Sequence, residues 1–302
     1  MSVVDRARPS QRGWLTDRRF AVLLLLPGLT LFAIVVLYPL VASLTTGLFE
    51  QSLVEPGRRF VGLANLADVL GDRFWPLLKT TLVFTAGATL TPFVLGFALA
   101  LALNSGVRSV GFLRGIFLLP WVIPAVVSSF LWMWIFNANY GVLNGLLLGT
   151  GLFDEAEPWL GQPGTAMFAL IVTRTWAAFP WMMVMLLAGL QTVPDELHEA
   201  AAMDGAGAVR RFRMVTLPHL RTIVGIVLLL ETIWNFQHFD TIYVLTQGGP
   251  AGTTTTFAVA VYDTAFKAYD LGHAGALGAL WMVLLGVLVA VYLRWSERRD
   301  QP

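Results

Sequence analysis

The chain has 302 residues, 56% of them hydrophobic and 13% charged, with a formal net charge of +1 and a mean hydropathy of +0.68. A soluble domain carries about 45–50% apolar and about 25% charged residues, so this composition is that of a chain built for lipid. The absence of cysteine excludes disulfides, thiolate metal sites and cysteine nucleophiles, and the four scattered histidines have no metal-ligand spacing.

In chain order, residues 1–19 read as a cytoplasmic tail carrying Arg6, Arg8, Arg12, Arg18 and Arg19. No cleavable leader is expected, because the first apolar run is too long and no convincing small-residue cleavage site follows it. A membrane helix needs about 20 mostly apolar residues. Six segments qualify: roughly 20–44 (an extra first helix within 20–46), 80–103, 113–136, 166–190, 222–245 and 274–295. Pro27, Pro39, Pro92, Pro120, Pro124, Pro180 and Gly225 fall inside them. Such breakers are tolerated where neighbouring helices or a cavity satisfy the freed backbone groups. Ten-residue alternation is absent, which argues against a membrane barrel.

Basic residues orient the spans. With the N-terminal arginines go Arg108 and Arg114, then Arg210, Arg211, Arg213 and Arg221, then Arg294, Arg298 and Arg299. The opposite side has only Arg58, Arg59, Arg73, Lys79 and Lys267. The expectation is an all-α polytopic protein of six transmembrane helices with both termini in the cytoplasm, ending in a short tail at 296–302. The external segments, a loop at 47–78 and stretches near 137–165 and 247–273, are each too small for a substrate-binding domain.

Between the fourth and fifth spans, a cytoplasmic loop at about 192–221 has its own pattern. Pro194 sits in the first turn of an expected helix, with Asp195 and Glu196 at its positive dipole end. Leu197, Ala200, Ala201 and Asp204 share one side, and the alanines leave that side nearly flat. Gly205 and Gly207 end the helix. A second short helix is expected through Arg210–Arg213, with Pro218 breaking the chain before the fifth span. A surface helix of small residues with one acid and basic neighbours suits docking into a groove on another protein. An ordinary connector is the competing explanation, because Glu-Ala-Ala alone is common in helices.

Ionisable groups inside spans are costly and mark functional candidates. Here they are Arg174, Glu231, His238 and Asp240, and an Arg174–Glu231 or Arg174–Asp240 pair across helices would lower that cost. Bracing of helix against helix competes with a substrate role. Trp121, Trp176, Phe179, Trp181, Trp234 and Phe236 offer ring faces for sugar C–H groups, or serve as packing and interfacial anchors. The substrate-path candidates are Arg174, Trp176, Trp181, Trp234 and Asp240, placed around a midplane cavity between the fourth and fifth helices. The chain carries no GxxxxGK[ST] phosphate loop and no convincing catalytic constellation, so it is not expected to be an enzyme.

Glu199-Ala200-Ala201, Gly205 and, ten residues later, Val215-Thr216-Leu217-Pro218 match in spacing the cytoplasmic coupling loop of bacterial binding-protein-dependent ABC importer permeases. Val215 stands where that family more often has Ile. Phe239-Asp240, Tyr243-Val244-Leu245-Thr246 and Gly248-Gly249-Pro250 resemble the end of the fifth core helix of its sugar-type members, the maltose, trehalose and glycerol-3-phosphate permeases. Phe117-Leu118-Leu119-Pro120-Trp121 with Pro124 fits the same group. The resemblance covers 79–295, and sugar permeases commonly have an extra first helix as well.

The resemblance implies the type I ABC importer permease fold in a bacterial plasma membrane. It also implies a second homologous permease, two ATPase subunits that hold ATP and Mg, and an extracytoplasmic solute-binding protein. No cofactor or metal is expected in this chain, and no nucleic acid as partner. Glu199, Ala200, Ala201, Gly205, Leu217 and Pro218 become the ATPase-coupling residues, and the cargo becomes a sugar or related polyol. A non-carbohydrate solute, an ion-coupled secondary transporter and an intramembrane enzyme are the alternatives.

Overall fold

The computed structural model describes residues 17–105 and 110–300. Arg6, Arg8, Arg12 and Arg108, and most of the expected N-terminal tail, lie outside the described residues.

Helix α1 runs Asp17–Phe32, through a π-helical turn Ala33–Leu37, into Tyr38–Thr46. Its segment Phe20–Thr46 has 27 residues and a hydropathy of 2.8. That is about 40 Å of helix against a hydrocarbon core of about 30 Å. Its apolar side chains face outward rather than into the chain, so α1 is held mainly at its far end. There Gly47 meets the last helix backbone to backbone: a Cβ on Gly275 would stand 2.6 Å from the Gly47 nitrogen.

The segment expected as an external loop contains a small antiparallel ribbon, β1 (Phe49–Gln51) and β2 (Arg58–Phe60), with Phe49 opposite Phe60. Their rings are 5.3 Å apart. Three-residue strands are too short to show alternation, which is why the pattern was silent. Helix α2 (Ala64–Val69) pins the ribbon, because Asn65 donates to the carbonyls of Gly47 (3.0 Å) and Phe49 (2.9 Å).

Helix α3 (Phe74–Asn104) begins five residues before the expected core boundary and crosses the bundle. Helices α4 (Val110–Val122) and α5 (Ala125–Ile135) replace the single third span of the sequence reading. They meet at 92° around Ile123 and Pro124. The residue before a proline is driven out of the helical region, and Pro124 itself is extended at ψ 137°, so the helix cannot continue. Among the described residues, five helices are long and apolar enough to cross a membrane, or six if this bent pair is one span.

Helix α6 (Val142–Gly149) is short, and α7 (Pro163–Leu190) is the partner of α3 at the centre of the bundle. Their close approach depends on Gly96, where a Cβ would lie 2.9 Å from the Phe179 carbonyl oxygen. Ala100, Met182, Met183, Leu186, Leu220 and Val227 form the core there. Helix α8 (Asp195–Met203) lies in the Glu199 loop.

Helix α9 starts at Ala208–Arg211, passes a π-turn Phe212–Thr216 and continues as Leu217–Phe236. Two expectations change here. Pro218 does not break the chain, and the fifth span ends at Phe236 rather than near Leu245. A proline ring clashes with the carbonyl four residues back and removes a donor, but a preceding π-turn widens the helix and moves that carbonyl aside. The Leu217 N–H accordingly donates to Phe212, five residues back. The same arrangement stands before Pro39, where the Tyr38 N–H donates to Ala33.

Helix α10 (Asp240–Thr246) is separate, with Asp240 at its positive end. Helix α11 runs Phe257–Tyr262 and then a π-turn Asp263–Lys267, and α12 spans Leu271–Asp300, so the expected C-terminal tail from 296 is largely helical.

Candidate functional site

The middle of the bundle holds a buried polar network built by three helices. Arg174 comes from α7, and Glu231 and Asn235, one helical turn apart on one face, come from α9. Arg174 donates through Nη2 to Glu231 Oε1 at 2.9 Å and through Nε to Asn235 Oδ1 at 2.7 Å. The Asn235 amide nitrogen lies 3.0 Å from the Ala88 carbonyl of α3, 3.2 Å from Thr89 Oγ1 and 3.1 Å from Glu231 Oε1. Glu231 and Asn235 are each 1% exposed. A buried charge is tolerable only when paired and hydrogen-bonded, and here both charges are. The pair is neutral as a unit.

Of the two partners considered for Arg174, the structure selects Glu231 and leaves Asp240 apart, exposed in the first turn of α10. Arg174, Ala177, Ala178 and Trp181 recur on one face of α7 at helical spacing. The alanines leave the stretch between the guanidinium and the indole without bulk. Trp181 meets Trp234 of α9 edge-on, with centroids 4.9 Å apart. Just beyond α9, His238 Nε2 is 2.8 Å from Thr241 Oγ1, and its ring lies over Phe84 at 6.0 Å.

Trp176 belongs elsewhere. Two residues from Arg174, it points round the helix to Trp132 of α5, 5.9 Å away. It lines an open groove of about 450 Å³ with Leu131, Trp132, Trp134 and Tyr140. The five expected path residues thus fall into four places: Arg174 in the network, Trp181 with Trp234 beside it, Trp176 in the groove by α5, and Asp240 at the start of α10. The expected single cavity around all five is corrected accordingly. Asn235 joins Arg174, Glu231 and α3, yet an asparagine carries no charge, and sequence reasoning that looked for ionisable groups inside spans passed over it.

At one end of the bundle, α8 carries the second candidate site. Pro194 caps the helix instead of entering its first turn, and Asp195 and Glu196 follow at the dipole's positive end. Glu199 and Ala200 are exposed, and Ala201 is half-buried. Gly205 has φ +76°, a region that glycine enters without steric cost. Its N–H donates to Ala202 and that of Ala206 to Ala201, the paired bonds of a Schellman cap. The spacing from Ala201 to Gly205 is therefore the spacing of a helix stop. Met203 is 88% exposed, and Leu197 also faces outward. Gly207 then caps α9, so three residues (Gly205, Ala206 and Gly207) separate Asp204 from a helix that runs unbroken to Asn235. Leu217 and Pro218 lie exposed on that helix.

Residues 92–300 match the family described as "Binding-protein-dependent transport system inner membrane component". The chain is 36% identical to the trehalose/maltose transport system permease protein MalF of Thermococcus litoralis over 289 residues, 94% of this chain and 96% of that one. It is 34% identical to the sulfoquinovosyl glycerol transport system permease protein SmoG of Agrobacterium fabrum, over 99% of this chain and 97% of that one. Its fold is similar to a chain in the crystal structure of a bacterial ABC transporter that imports the acidic polysaccharide alginate. The TM-score is 0.81 at 22% identity, with 97% and 100% of the two chains covered.

Proposed function

Since the chain belongs to the inner-membrane permeases of binding-protein-dependent ABC importers, we propose that its cargo is a sugar or related polyol and that the Arg174–Glu231–Asn235 network with Trp181 and Trp234 forms part of the solute path. The observation that carries the cargo class is identity with a trehalose/maltose permease along almost the whole chain. The geometry supports it: hydrogen-bonding groups and ring edges converge from α7 and α9. Such a site can bind hydroxyls and C–H faces and do no covalent chemistry.

The full importer, in this reading, pairs the chain with a second homologous permease and two ATPase subunits, where ATP and Mg reside. An extracytoplasmic solute-binding protein delivers the sugar. Both termini and α8 face the cytoplasm, and residues 79–295 form the core, with the Glu199 loop at about 192–221. Exposed Glu199, the small Ala200 and Ala201, and Gly205 seat α8 in a groove of the ATPase, with Leu217 and Pro218 completing the loop.

ATP binding draws the two ATPases together, and α8 moves with them. Helix α9 begins three residues after Gly205 and carries Glu231 and Asn235 some 35 Å further along its axis, at about 1.5 Å per residue. It acts as a lever from the docking site to the polar network. Its motion against α7 opens the path to one side of the membrane and closes it to the other, a rigid-body change driven by the partner's differential binding.

The test is uptake by the complete importer in proteoliposomes, with trehalose, maltose and a set of amino acids as competing cargoes. Sugar uptake that requires ATP supports the reading. ATP-driven uptake of amino acids alone, with none of sugars, overturns it.

A further inference from the structure

At the end of the bundle opposite α8, outside the membrane in the topology proposed above, four aromatic rings meet: Phe239 and Tyr243 pack against the buried core around Ile242 and Leu245, and Tyr262 and Phe266 extend the cluster toward the surface. Phe239, just before α10, lies 4.8 Å from Tyr243 at an interplanar angle of 19°, and 5.1 Å from Tyr262 of α11. Tyr243 meets Tyr262 edge-on at 4.8 Å, and Tyr262 continues to Phe266 at 5.1 Å. Lys267 Nζ stands 5.1 Å over the Tyr243 ring and 2.8 Å from Asp263 Oδ1. Phe266 is 58% exposed and the two tyrosines are half-buried, so the cluster leaves ring surface open to a solute. Hydrogen bonding with Tyr243 raises the Tyr262 phenol above the usual tyrosine range, and the bond to Asp263 raises the Lys267 ammonium likewise. Both remain protonated donors near neutral pH.

The shelf is joined to the solute path. Phe239 follows Asn235 by four residues, at most about 14 Å of chain. Between them His238 is fixed by Thr241 and by the Phe84 ring, so the link is short and ordered.

We propose that Phe239, Tyr243, Tyr262 and Phe266, with Lys267 and Asp263 at their edge, form an outer saccharide subsite that receives a sugar ring before it reaches the Arg174 network. The inference rests on the sugar reading of the cargo. The chemistry is that of an amphipathic ring: C–H faces lie on exposed aromatic surfaces, while phenols and the ammonium donate to hydroxyls and the Asp263 carboxylate accepts from them. The ion pair leaves the shelf without net charge, which suits a neutral solute. A docking anchor for the solute-binding protein is the competing occupant.

The experiment uses the reconstituted importer with its binding protein and trehalose or maltose, whichever the wild type transports. Phe266→Ala and Tyr262→Ala are expected to lower uptake at limiting sugar about fivefold, the size of one lost ring contact. Stimulation of ATP hydrolysis by the loaded binding protein should be unchanged, and Phe266→Trp should restore uptake and change its emission when the sugar is added. Wild-type uptake in both alanine variants overturns the proposal. So does a parallel loss of uptake and ATPase stimulation, which identifies a protein-docking surface. A wild-type importer that takes up amino acids and no member of a panel of sugars and polyols overturns the underlying cargo reading, a failure visible before any variant is made.

Discussion

Arg174 on α7 and Glu231 on α9 form a 2.9 Å ion pair between two helices joined by the Glu199 loop, with Asn235 bonded to both partners. The Glu231 carboxylate is almost fully enclosed and the guanidinium nearly so, at 2% and 15% side-chain exposure. The two helices that move against each other in the proposed cycle are therefore clasped at a point where neither charge can be left alone.

That clasp makes single and double substitutions differ. Glu231→Ala strands a buried guanidinium, and Arg174→Ala strands a buried carboxylate; each costs about 3–5 kcal/mol. The pair Arg174→Gln with Glu231→Gln removes both charges and should recover most of that loss while uptake stays impaired. Thermal unfolding of the purified complex, read beside uptake, checks this. Single variants as stable as the double one would show that the pair is not coupled.

The Schellman cap at Gly205 gives the second expectation. A side chain at φ +76° costs about 1–2 kcal/mol, so Gly205→Val should misdirect the start of α9, and Glu199→Lys should place a cation against the ATPase groove. Both variants should reach the membrane and lose ATP-driven uptake by tenfold or more, roughly the factor that about 1.4 kcal/mol produces. Normal uptake by both removes α8 as the coupling element.

Trp181 and Trp234 are edge-to-face beside the network, and Trp234 is 44% exposed. Trp181→Ala and Trp234→Ala should raise the apparent KM for the sugar about threefold to tenfold, from one lost ring contact, while the coupling ratio of ATP hydrolysed to sugar moved stays constant. Initial-rate uptake across a sugar series measures both. Variants that change expression alone would make the tryptophans packing residues.

Topology yields a fourth expectation. Reporter fusions after Arg18, near Ala206 and after Arg298 should read cytoplasmic, and fusions near Glu155 and Ala251 should read external. An external reading at Ala206 separates α8 from any ATPase and ends the coupling account.

Hydropathy marked three of the spans within about three residues at each end, because apolar length is a local property that lipid imposes directly. The Glu199 loop was equally legible: its spacing encodes a helix, a glycine stop and a restart, all short-range chemistry. The π-turns before Pro39 and Pro218 were not. A composition window counts prolines without knowing whether the preceding turn has made room for them, so the expected break at Pro218 became a continuous helix. The right-angle bend at Pro124 went the other way.

The sequence by itself determined that this chain is an all-helical membrane permease of the binding-protein-dependent kind, and that a short helix with a glycine stop lies in the Glu199 loop. Only the tertiary structure decided which charges pair. Arg174 had two acidic candidates on the next long segment, and the ending of α9 at Phe236 settled the matter. That stop keeps Glu231 and Asn235 on one helical face toward α7 and moves Asp240 into the first turn of a separate helix. Choice of partner depends on distance through space between three helices, and on the cost of leaving a buried group unsatisfied. Neither quantity is written in any one segment of the chain.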